Sequence, residues 1–318
     1  MRSWTLVPAL AALLAGCRPE PEVPGPPSPP SSPARPVKAS EWPNQIQFGI
    51  TPVLDLESLR RGNQALCDEL GHLLGTEVKL VVSSNYGELG ELLIQGQVTF
   101  ARMSPLAYVV ARTQYPSLRL VASMIADGSI DYAAYIVARA DSDILRVDDL
   151  RGRSFGFVDV TSGSGYLYPL VYIWDRFGKP ERFFSGVRFL GNHQALLRAV
   201  EEGHVDAGAT FSAALVTYGQ MGLGSPFRIV AKTGRIPYDA FVAGPALDDA
   251  QVAALQSALL GIDTRSPRGR KVLGPLRHIN GFLPANDALY DTVRTVVTRA
   301  TMHGTHVGPD QVSNDAGP

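Results

Sequence analysis

The fold is decided by residues 154–177, SFGFVDVTSGSGYLYPLVYIWDRF. Residues 154–158 predict a strand, and residues 166–177 predict a helix. Between them lies a turn of hydroxyl-bearing residues and glycines, residues 159–165. A helix N-terminus leaves backbone N–H groups unpaired and carries about half a positive charge, so this turn favours an anion site. Serine and threonine also cap helices for structural reasons alone, and that alternative stays open.

The same turn does not fit the loops of enzymes. A nucleophile elbow needs glycines two residues either side of the serine, but Ser162 stands two residues before Ser164. A dinucleotide loop would need a glycine where Tyr168 stands, and no P-loop lysine follows. A hydrolase using Ser164 and His193 would lack a recognisable orienting acid. The six histidines show no metal-ligand spacing. The sequence therefore predicts no enzyme, no metal and no cofactor.

Strands and helices alternate on both sides of this unit. The first series of predicted elements lies at residues 46–51, 55–74, 78–82, 87–95, 98–101, 105–112 and 118–123. After a linking strand at 132–139, the second series lies at residues 154–158, 166–177, 187–190, 192–202, 207–210, 212–221 and 228–232. The chain then crosses back with a strand at 239–244 and a helix at 248–260. This alternation predicts mostly parallel sheets covered by helices.

The predicted architecture is an α/β protein of two lobes, joined by two crossings. Residues 44–131 and 237–303 form lobe 1, residues 132–236 form lobe 2, and residues 304–318 form a disordered tail. Clefts between lobes are where small ligands bind, so a ligand site is expected there.

The N-terminus has the features of an export signal. Arg2 precedes a largely apolar run at residues 4–14, which is shorter than the roughly 20 residues that span a bilayer. Leu14-Ala15-Gly16-Cys17 resembles the lipobox of bacterial lipoproteins. The sequence thus predicts a signal peptide at residues 1–16 and lipid on Cys17. The protein would then be anchored in the cell envelope, facing the periplasm or the exterior, in either membrane. An ordinary secretory signal is the alternative.

Residues 17–43 predict a tether. They contain ten prolines and almost no large apolar side chains, so they cannot form a core. The whole chain carries a net charge of -1, which predicts no nucleic-acid partner. Cys67 is the only cysteine besides Cys17, and its helical surroundings predict a buried side chain without a disulfide.

Several local patterns then carry a resemblance to a known family. They are Asn85-Tyr86-Gly87, Ser104-Pro105-Leu106-Ala107-Tyr108, Asp131-Tyr132, Ser162 to Pro169 (SGSGYLYP), His193, Val205-Asp206-Ala207 and Ile236-Pro237-Tyr238-Asp239. In this order they resemble the phosphonate-binding family of periplasmic substrate-binding proteins, relatives of the PhnD-type component of phosphate, phosphite and phosphonate import systems. The resemblance covers residues 46 to 300 and implies a type II-like periplasmic binding protein with its ligand cleft between the lobes.

The resemblance also implies a set of ligand-binding residues. The oxygens of a phosphonyl-type group would be held by Ser162, Ser164 and the amides around Gly163 and Gly165. Tyr86, Tyr132 and His193 would add donors, and Asp239 would face the remaining substituent. Each side chain has a structural alternative: aromatic packing for the two tyrosines, a role at the helix N-cap for His193 and a turn for Asp239.

Three departures from the family pattern limit the choice of ligand. Ala213 occupies the position of the second acidic residue that meets the ammonium of aminophosphonates, so a ligand without an amine is expected. Gly163 replaces a hydroxyl residue. Arg102 stands in a stretch near the cleft that is usually aromatic and glycine-rich in the family, where it either binds the ligand or pairs with a neighbour.

These features predict the solute-binding lipoprotein of an ABC-type importer, which captures phosphate, phosphite or a phosphonate by closure of its cleft and delivers it to a permease. The alternative is an oxyanion sensor whose ligand-bound form docks on the periplasmic domain of a sensor kinase.

Overall fold

The structure is a computed structural model that describes residues 41–219, 226–276 and 278–305. The predicted signal peptide, Cys17, most of the predicted tether and residues 306–318 of the predicted tail lie outside the described residues. Within the three described ranges, no helix is both long enough and apolar enough to cross a membrane.

Lobe 1 contains a sheet of six strands within the described residues. These strands are β1 (Gln45–Ile50), β2 (Glu77–Val82), β3 (Phe100–Met103), β4 (Arg119–Ala126), β10 (Ala240–Ala243) and β11 (Ile279–Pro284). Their order across the sheet is β11-β4-β10-β3-β1-β2.

Lobe 2 contains a sheet of five strands within the same residues. They are β5 (Asp131–Arg139), β6 (Ser154–Phe157), β7 (Gly186–Phe189), β8 (Ala207–Phe211) and β9 (Phe227–Pro237), in the order β7-β6-β8-β5-β9. The two crossings between the lobes run through β5, which leaves lobe 1, and through β9, which leads back to β10.

Both sheets are mixed, so the prediction of mostly parallel sheets was wrong. Strand β1 pairs parallel with β2 and β3, and β6 pairs parallel with β7 and β8. However, β10 is antiparallel to β3 and β4, β11 is antiparallel to β4, and β5 is antiparallel to β8 and β9. The returning strand β10 lies between β3 and β4, which precede it in the chain. The alternation of strands and helices does not set the direction in which such a returning strand pairs.

The helices cover these sheets. They are α1 (Leu56–Leu74), α2 (Leu89–Ile94), α3 (Pro105–Gln114), α4 (Tyr168–Phe177), α5 (Pro180–Phe183), α6 (His193–Glu201), α7 (Ser212–Tyr218), α8 (Asp249–Leu260), α9 (Pro267–Leu273) and α10 (Asp291–Met302). A short π-helical turn, Gly163–Leu167, leads directly into α4. Strand β11 and helices α5, α9 and α10 are elements that the sequence did not predict.

Local sequence signals fix the longest helix, α1. The carboxylate of Asp55 accepts the backbone N–H of Ser58 at 2.9 Å and caps the first turn. Gly75 ends the helix with φ of 70°, a left-handed conformation that glycine adopts without a Cβ clash. The buried face of α1 includes Leu66, Leu70 and Cys67, which is only 2% exposed, so the prediction of a buried Cys67 is confirmed.

The core of lobe 1 is centred on three stacked phenylalanine rings. Phe48 lies 4.8 Å from Phe100 and 5.8 Å from Phe241, measured between ring centroids, and all three side chains are fully buried. Because burying one such side chain contributes about 1.5–3 kcal/mol, these rings hold β1, β3 and β10 firmly at the centre of the sheet. The loops that follow β1 and β3, and the segment that precedes the antiparallel strand β10, are thereby fixed at the cleft.

Among the described residues, the hydrogen bonds that join the lobes beside the cleft include two between neighbouring loops and helices. The backbone N–H of Asp55 donates to the side-chain oxygen of Gln194 at 3.2 Å, and the hydroxyl of Ser104 donates to the carbonyl of Thr161 at 3.4 Å. Helix α10 also packs against α3 of lobe 1 and against α4 and β9 of lobe 2. The structure therefore has the two lobes in contact around the cleft.

Candidate ligand-binding site between the lobes

A cavity of about 420 Å³ lies in the cleft. Lobe 1 and the strand that leaves it line this cavity with Val53, Leu54, Ser58, Leu59, Arg61, Gly62, Asn63, Tyr86, Arg102, Ser104, Met124, Tyr132, Tyr238, Asp239, Pro275, Leu276 and His278. Lobe 2 lines it with Ser162, Gly163, Ser164, His193, Phe211, Ala213, Ala214 and Thr217. Eight of the nine residues expected to bind ligand thus line one cavity. The ninth, Gly165, is not among its lining residues.

The turn before α4 is built by its own hydroxyl groups. The hydroxyl of Ser162 accepts the backbone N–H of Gly165 at 3.0 Å, and Asp159 accepts the N–H and the hydroxyl of Thr161 at 2.8 and 2.7 Å. The capping role of Ser162 is therefore present. It does not exclude ligand binding, because a hydroxyl that accepts one hydrogen bond still has a proton to donate. Ser162 and Ser164 are 1% and 3% exposed.

The two glycines of this turn have different surroundings. A Cβ on Gly165 would lie 2.5 Å from the side chain of Val158 and 2.8 Å from Ser162 Oγ, so close packing requires a glycine there. A Cβ on Gly163 would meet nothing nearer than 3.8 Å. Gly165 is thus placed to shape the turn, whereas Gly163 lies open to the cavity.

The hydroxyl of Tyr86 is buried and unsatisfied. Tyr86 is 1% exposed, and its oxygen has no hydrogen-bond partner among the described residues. Leaving a buried hydroxyl unpaired costs about 1–3 kcal/mol, and such groups in native proteins usually have a reason. Burial, reinforced by Asp159, raises the pKa of Tyr86, which keeps the phenol protonated and able to donate.

Tyr132 stands on β5 at the crossing between the lobes. Its ring centroid lies 5.3 Å from that of Phe211 and 4.9 Å from that of Tyr238, so the aromatic packing expected as an alternative is present. Burial, with a contribution from Asp239, raises the pKa of Tyr132. Its phenol is therefore a neutral donor in the cavity wall.

His193 is the first residue of α6. The N-cap of this helix is Asn192, whose side chain accepts a hydrogen bond from the N–H of Ala195 at 2.8 Å, so the N-cap role offered as the structural alternative for His193 is filled by Asn192. The Nδ1 atom of His193 lies 3.1 Å from the hydroxyl of Thr210, and burial lowers its pKa to about 3. The ring is neutral at pH 7, and when Thr210 donates to Nδ1, the proton is on Nε2.

Arg102 and Asp239 form an ion pair in the cavity wall. Arg102 Nε lies 3.5 Å from Asp239 Oδ2, and its Nη1 donates to the side-chain oxygen of Asn63 at 3.4 Å. Burial raises the pKa of Asp239 to about 6, although the charge of Arg102 opposes that rise. The pairing expected for Arg102 as one of two alternatives is thus present, and its guanidinium also lines the cavity.

The sequence did not single out Asn63 and His278 as residues of this cavity. Asn63 is 1% exposed and lies on the apolar face of α1, where its spacing from Leu59 and Leu66 puts an amide in a row of leucines. A polar residue on the apolar face of a helix could have been recognised in the sequence as a candidate site residue. His278 had no comparable signal, because it precedes β11, a strand that the sequence did not predict. Burial, aided by the charge of Arg102, lowers the pKa of His278 to about 4.

Comparison with known proteins identifies the family of this fold and cleft. The family described as "ABC transporter, phosphonate, periplasmic substrate-binding protein" matches residues 48–290. The chain belongs to this family. As a member of a solute-binding family it is not an enzyme, and its family places it outside the cytoplasm.

Similar proteins agree with this assignment. The phosphate-import protein PhnD of Mycolicibacterium smegmatis is 27% identical over 278 residues, which cover 81% of this chain and 86% of that protein. The tetrathionate sensor histidine kinase TtrS of Salmonella typhimurium is 28% identical over 236 residues, covering 69% of this chain but 40% of the kinase. A binding protein component of an ABC phosphonate transporter from Pseudomonas aeruginosa has the same fold, with a TM-score of 0.75, 20% identity, and coverage of 84% of this chain and 91% of that one. The predicted two-lobed fold of a periplasmic binding protein is confirmed.

Proposed function

We propose that the protein is a lipid-anchored binding protein that captures a tetrahedral oxyanion, phosphate, phosphite or a phosphonate, between its lobes and delivers it to an ABC permease. The observation that carries the proposal is the buried Tyr86 hydroxyl, which lines the cavity without a partner among the described residues. An oxyanion acceptor would satisfy it.

The other polar groups around the cavity suit the same ligand. Ser162, Ser164, Tyr132 and neutral His193 are uncharged groups that can donate hydrogen bonds. Donors of this kind can surround an anion without leaving a cation unpaired when the ligand departs. Because these groups belong to lobe 2 and Tyr86 belongs to lobe 1, a ligand that contacts all of them stabilises the closed arrangement, and capture and closure are then coupled.

The charges in the cavity favour a ligand without an amine. Asp239 is paired with Arg102, so its carboxylate is already compensated. Ala213 lines the cavity where aminophosphonate binders have a second acidic residue. Calorimetry should therefore show tighter binding of phosphite or methylphosphonate than of 2-aminoethylphosphonate. The reverse order would exclude this ligand class.

The anchor on Cys17 is proposed from the lipobox and the proline-rich tether. A radiolabelled fatty acid fed to a bacterium expressing the chain should label the wild type. The label should be lost in Cys17→Ser and kept in Cys67→Ser, because Cys67 is buried in α1. Labelling that survives Cys17→Ser would contradict the anchor.

The sensor alternative is less favoured. The family is one of ABC transporter components, and the import protein is matched over 86% of its length, whereas the kinase is matched over 40%. A thermal-shift screen tests the binding function directly, with phosphate, phosphite, methylphosphonate, sulfate and arsenate added to the Cys17→Ser chain. A ligand at 100 times its dissociation constant adds about 2.7 kcal/mol of stability, and no shift with any of these anions would contradict the proposal.

A further inference from the structure

The cavity is much larger than the anion that the donors suit. A tetrahedral oxyanion has about five non-hydrogen atoms and needs roughly 150 Å³, at about 30 Å³ for each water-sized group. The cavity has about 420 Å³, a volume within the range of pockets that enclose organic ligands. Most of the volume of this cavity therefore lies beyond the phosphonyl group.

The remaining wall is largely apolar. Lobe 1 contributes Val53, Leu54, Leu59, Met124 and Leu276, and lobe 2 contributes Phe211 with two alanines at the start of α7, Ala213 and Ala214. Surfaces of this kind gain about 25 cal/mol for each square ångström of apolar area removed from water. An oxyanion without an organic substituent would leave this apolar wall in contact with water.

The polar groups on this side are neutral or already paired. Asn63 is bound to Arg102, and Arg102 is paired with Asp239, the only carboxylate among the described lining residues. Arg61, at the rim, lies 3.4 Å from Glu57, and both side chains are more than two-thirds exposed. The wall thus offers no free carboxylate for a cationic substituent.

We infer that the physiological ligand is a monosubstituted oxyanion, R–PO₃, whose uncharged aliphatic or aromatic group R has on the order of six to nine non-hydrogen atoms at roughly 30 Å³ each. This inference rests on the proposed function, because it assumes that the hydroxyl cluster holds the phosphonyl oxygens. The same chemistry is found in organophosphonates and in phosphate monoesters.

Calorimetry on the full chain carrying Cys17→Ser tests the inference. The probes are phosphite, methylphosphonate, hexylphosphonate, phenylphosphonate and phenyl phosphate. We expect hexyl- or phenylphosphonate to bind at least 10-fold more tightly than methylphosphonate. Phenyl phosphate distinguishes the two sources: equal affinity with phenylphosphonate supports recognition of the monoester as well, and 10-fold weaker binding assigns the site to phosphonates.

Two variants test whether the apolar wall causes the preference. Ala213→Leu fills the space beside α7, and Leu54→Ala shortens the wall from lobe 1, so each should lower the affinity ratio of phenylphosphonate to methylphosphonate. A 10-fold fall is expected for Ala213→Leu. The matched control is Ala250→Leu on the exposed side of α8, which should keep the wild-type ratio.

The outcomes separate the inference from the proposed function. If methylphosphonate or phosphite binds as tightly as the larger probes, the substituent pocket is excluded while oxyanion capture stands. If both wall variants keep the wild-type ratio, the preference arises elsewhere and the inference is also excluded. If none of the five probes binds, the proposed function itself fails.

Discussion

The guanidinium Nε of Arg102 lies 3.5 Å from Oδ2 of Asp239 inside the cleft, so the one carboxylate among the described lining residues is held against a cation. Burial nevertheless raises the pKa of Asp239 to about 6. A dianion that enters this cavity meets an ionised carboxylate above that pH and a neutral acid below it. Ligand binding and protonation of Asp239 are therefore linked.

The linkage predicts proton uptake. At pH of about 8, where Asp239 is ionised, binding of a phosphonate dianion should take up about one proton, which sits between the ligand and the carboxylate. Asp239→Asn should abolish the uptake. Calorimetry in buffers of different ionisation enthalpy measures the proton count, and Asp175→Asn, on the surface beside Arg299, is the control. Unchanged uptake in Asp239→Asn would contradict the linkage.

Tyr86→Phe should separate binding from stability. The hydroxyl has no partner among the described residues, so its removal should leave the free energy of unfolding unchanged or raise it by about 1 kcal/mol. Affinity for the anion should fall about 10- to 100-fold, because a hydrogen bond to a charged group contributes about 1.5–3 kcal/mol.

The matched control for this substitution is Tyr218→Phe. The hydroxyl of Tyr218 donates to Glu201 at 2.5 Å, and Tyr218 does not line the cavity. The Tyr218→Phe variant should be less stable than the wild type while keeping the wild-type affinity for the anion. Urea unfolding and calorimetry on both variants measure the two quantities, and equal affinity in Tyr86→Phe and the wild type would exclude a ligand contact by this hydroxyl.

The two glycines of the turn at residues 159–165 should respond in opposite ways to alanine. Gly165→Ala places a Cβ 2.5 Å from Val158 and should cost about 1–3 kcal/mol of stability. Gly163→Ala has its nearest neighbour at 3.8 Å and should leave the unfolding transition within about 0.5 kcal/mol of the wild type. Thermal unfolding of the two variants and the wild type measures both changes in stability. A larger loss in Gly163→Ala would mean that the turn packs differently.

His193 should make the protein less stable in acid. Its pKa is about 3 in the folded chain and about 6.5 in the unfolded one, so between these values the unfolded state binds more protons. Stability should therefore rise with pH by about 1.4 kcal/mol per unit from this residue alone, and this contribution should level off above pH of about 6.5.

His193→Gln should remove that slope. The variant also loses the contact with Thr210, but this loss shifts stability equally at all pH values. Urea unfolding at several pH values between about 4 and 7 gives the slope for each protein. The same slope in both proteins would show that the pKa of His193 in the folded chain is that of an ordinary histidine.

The sequence predicted which residues gather around the cavity better than it predicted the sheets around them. The turn at residues 159–165 could be predicted from the sequence because a cluster of hydroxyl residues and glycines between a strand and a helix indicates either an anion site or a helix cap. The antiparallel insertion of β10 was not readable, since pairing direction depends on contacts with β3 and β4 that are distant in the chain. Likewise, the sequence placed Arg102 near the cleft but could not choose its partner, because the distance to Asp239 is set by the fold.

Calorimetric titration with methylphosphonate of the Cys17→Ser chain and of its Ser162→Ala/Ser164→Ala double variant tests the central claim most directly. The account predicts saturable binding of one ligand per chain that weakens at least 100-fold in the double variant, while the variant keeps a cooperative unfolding transition. Equal affinity in the two proteins, or no binding of any tetrahedral oxyanion to the unaltered turn, would contradict it.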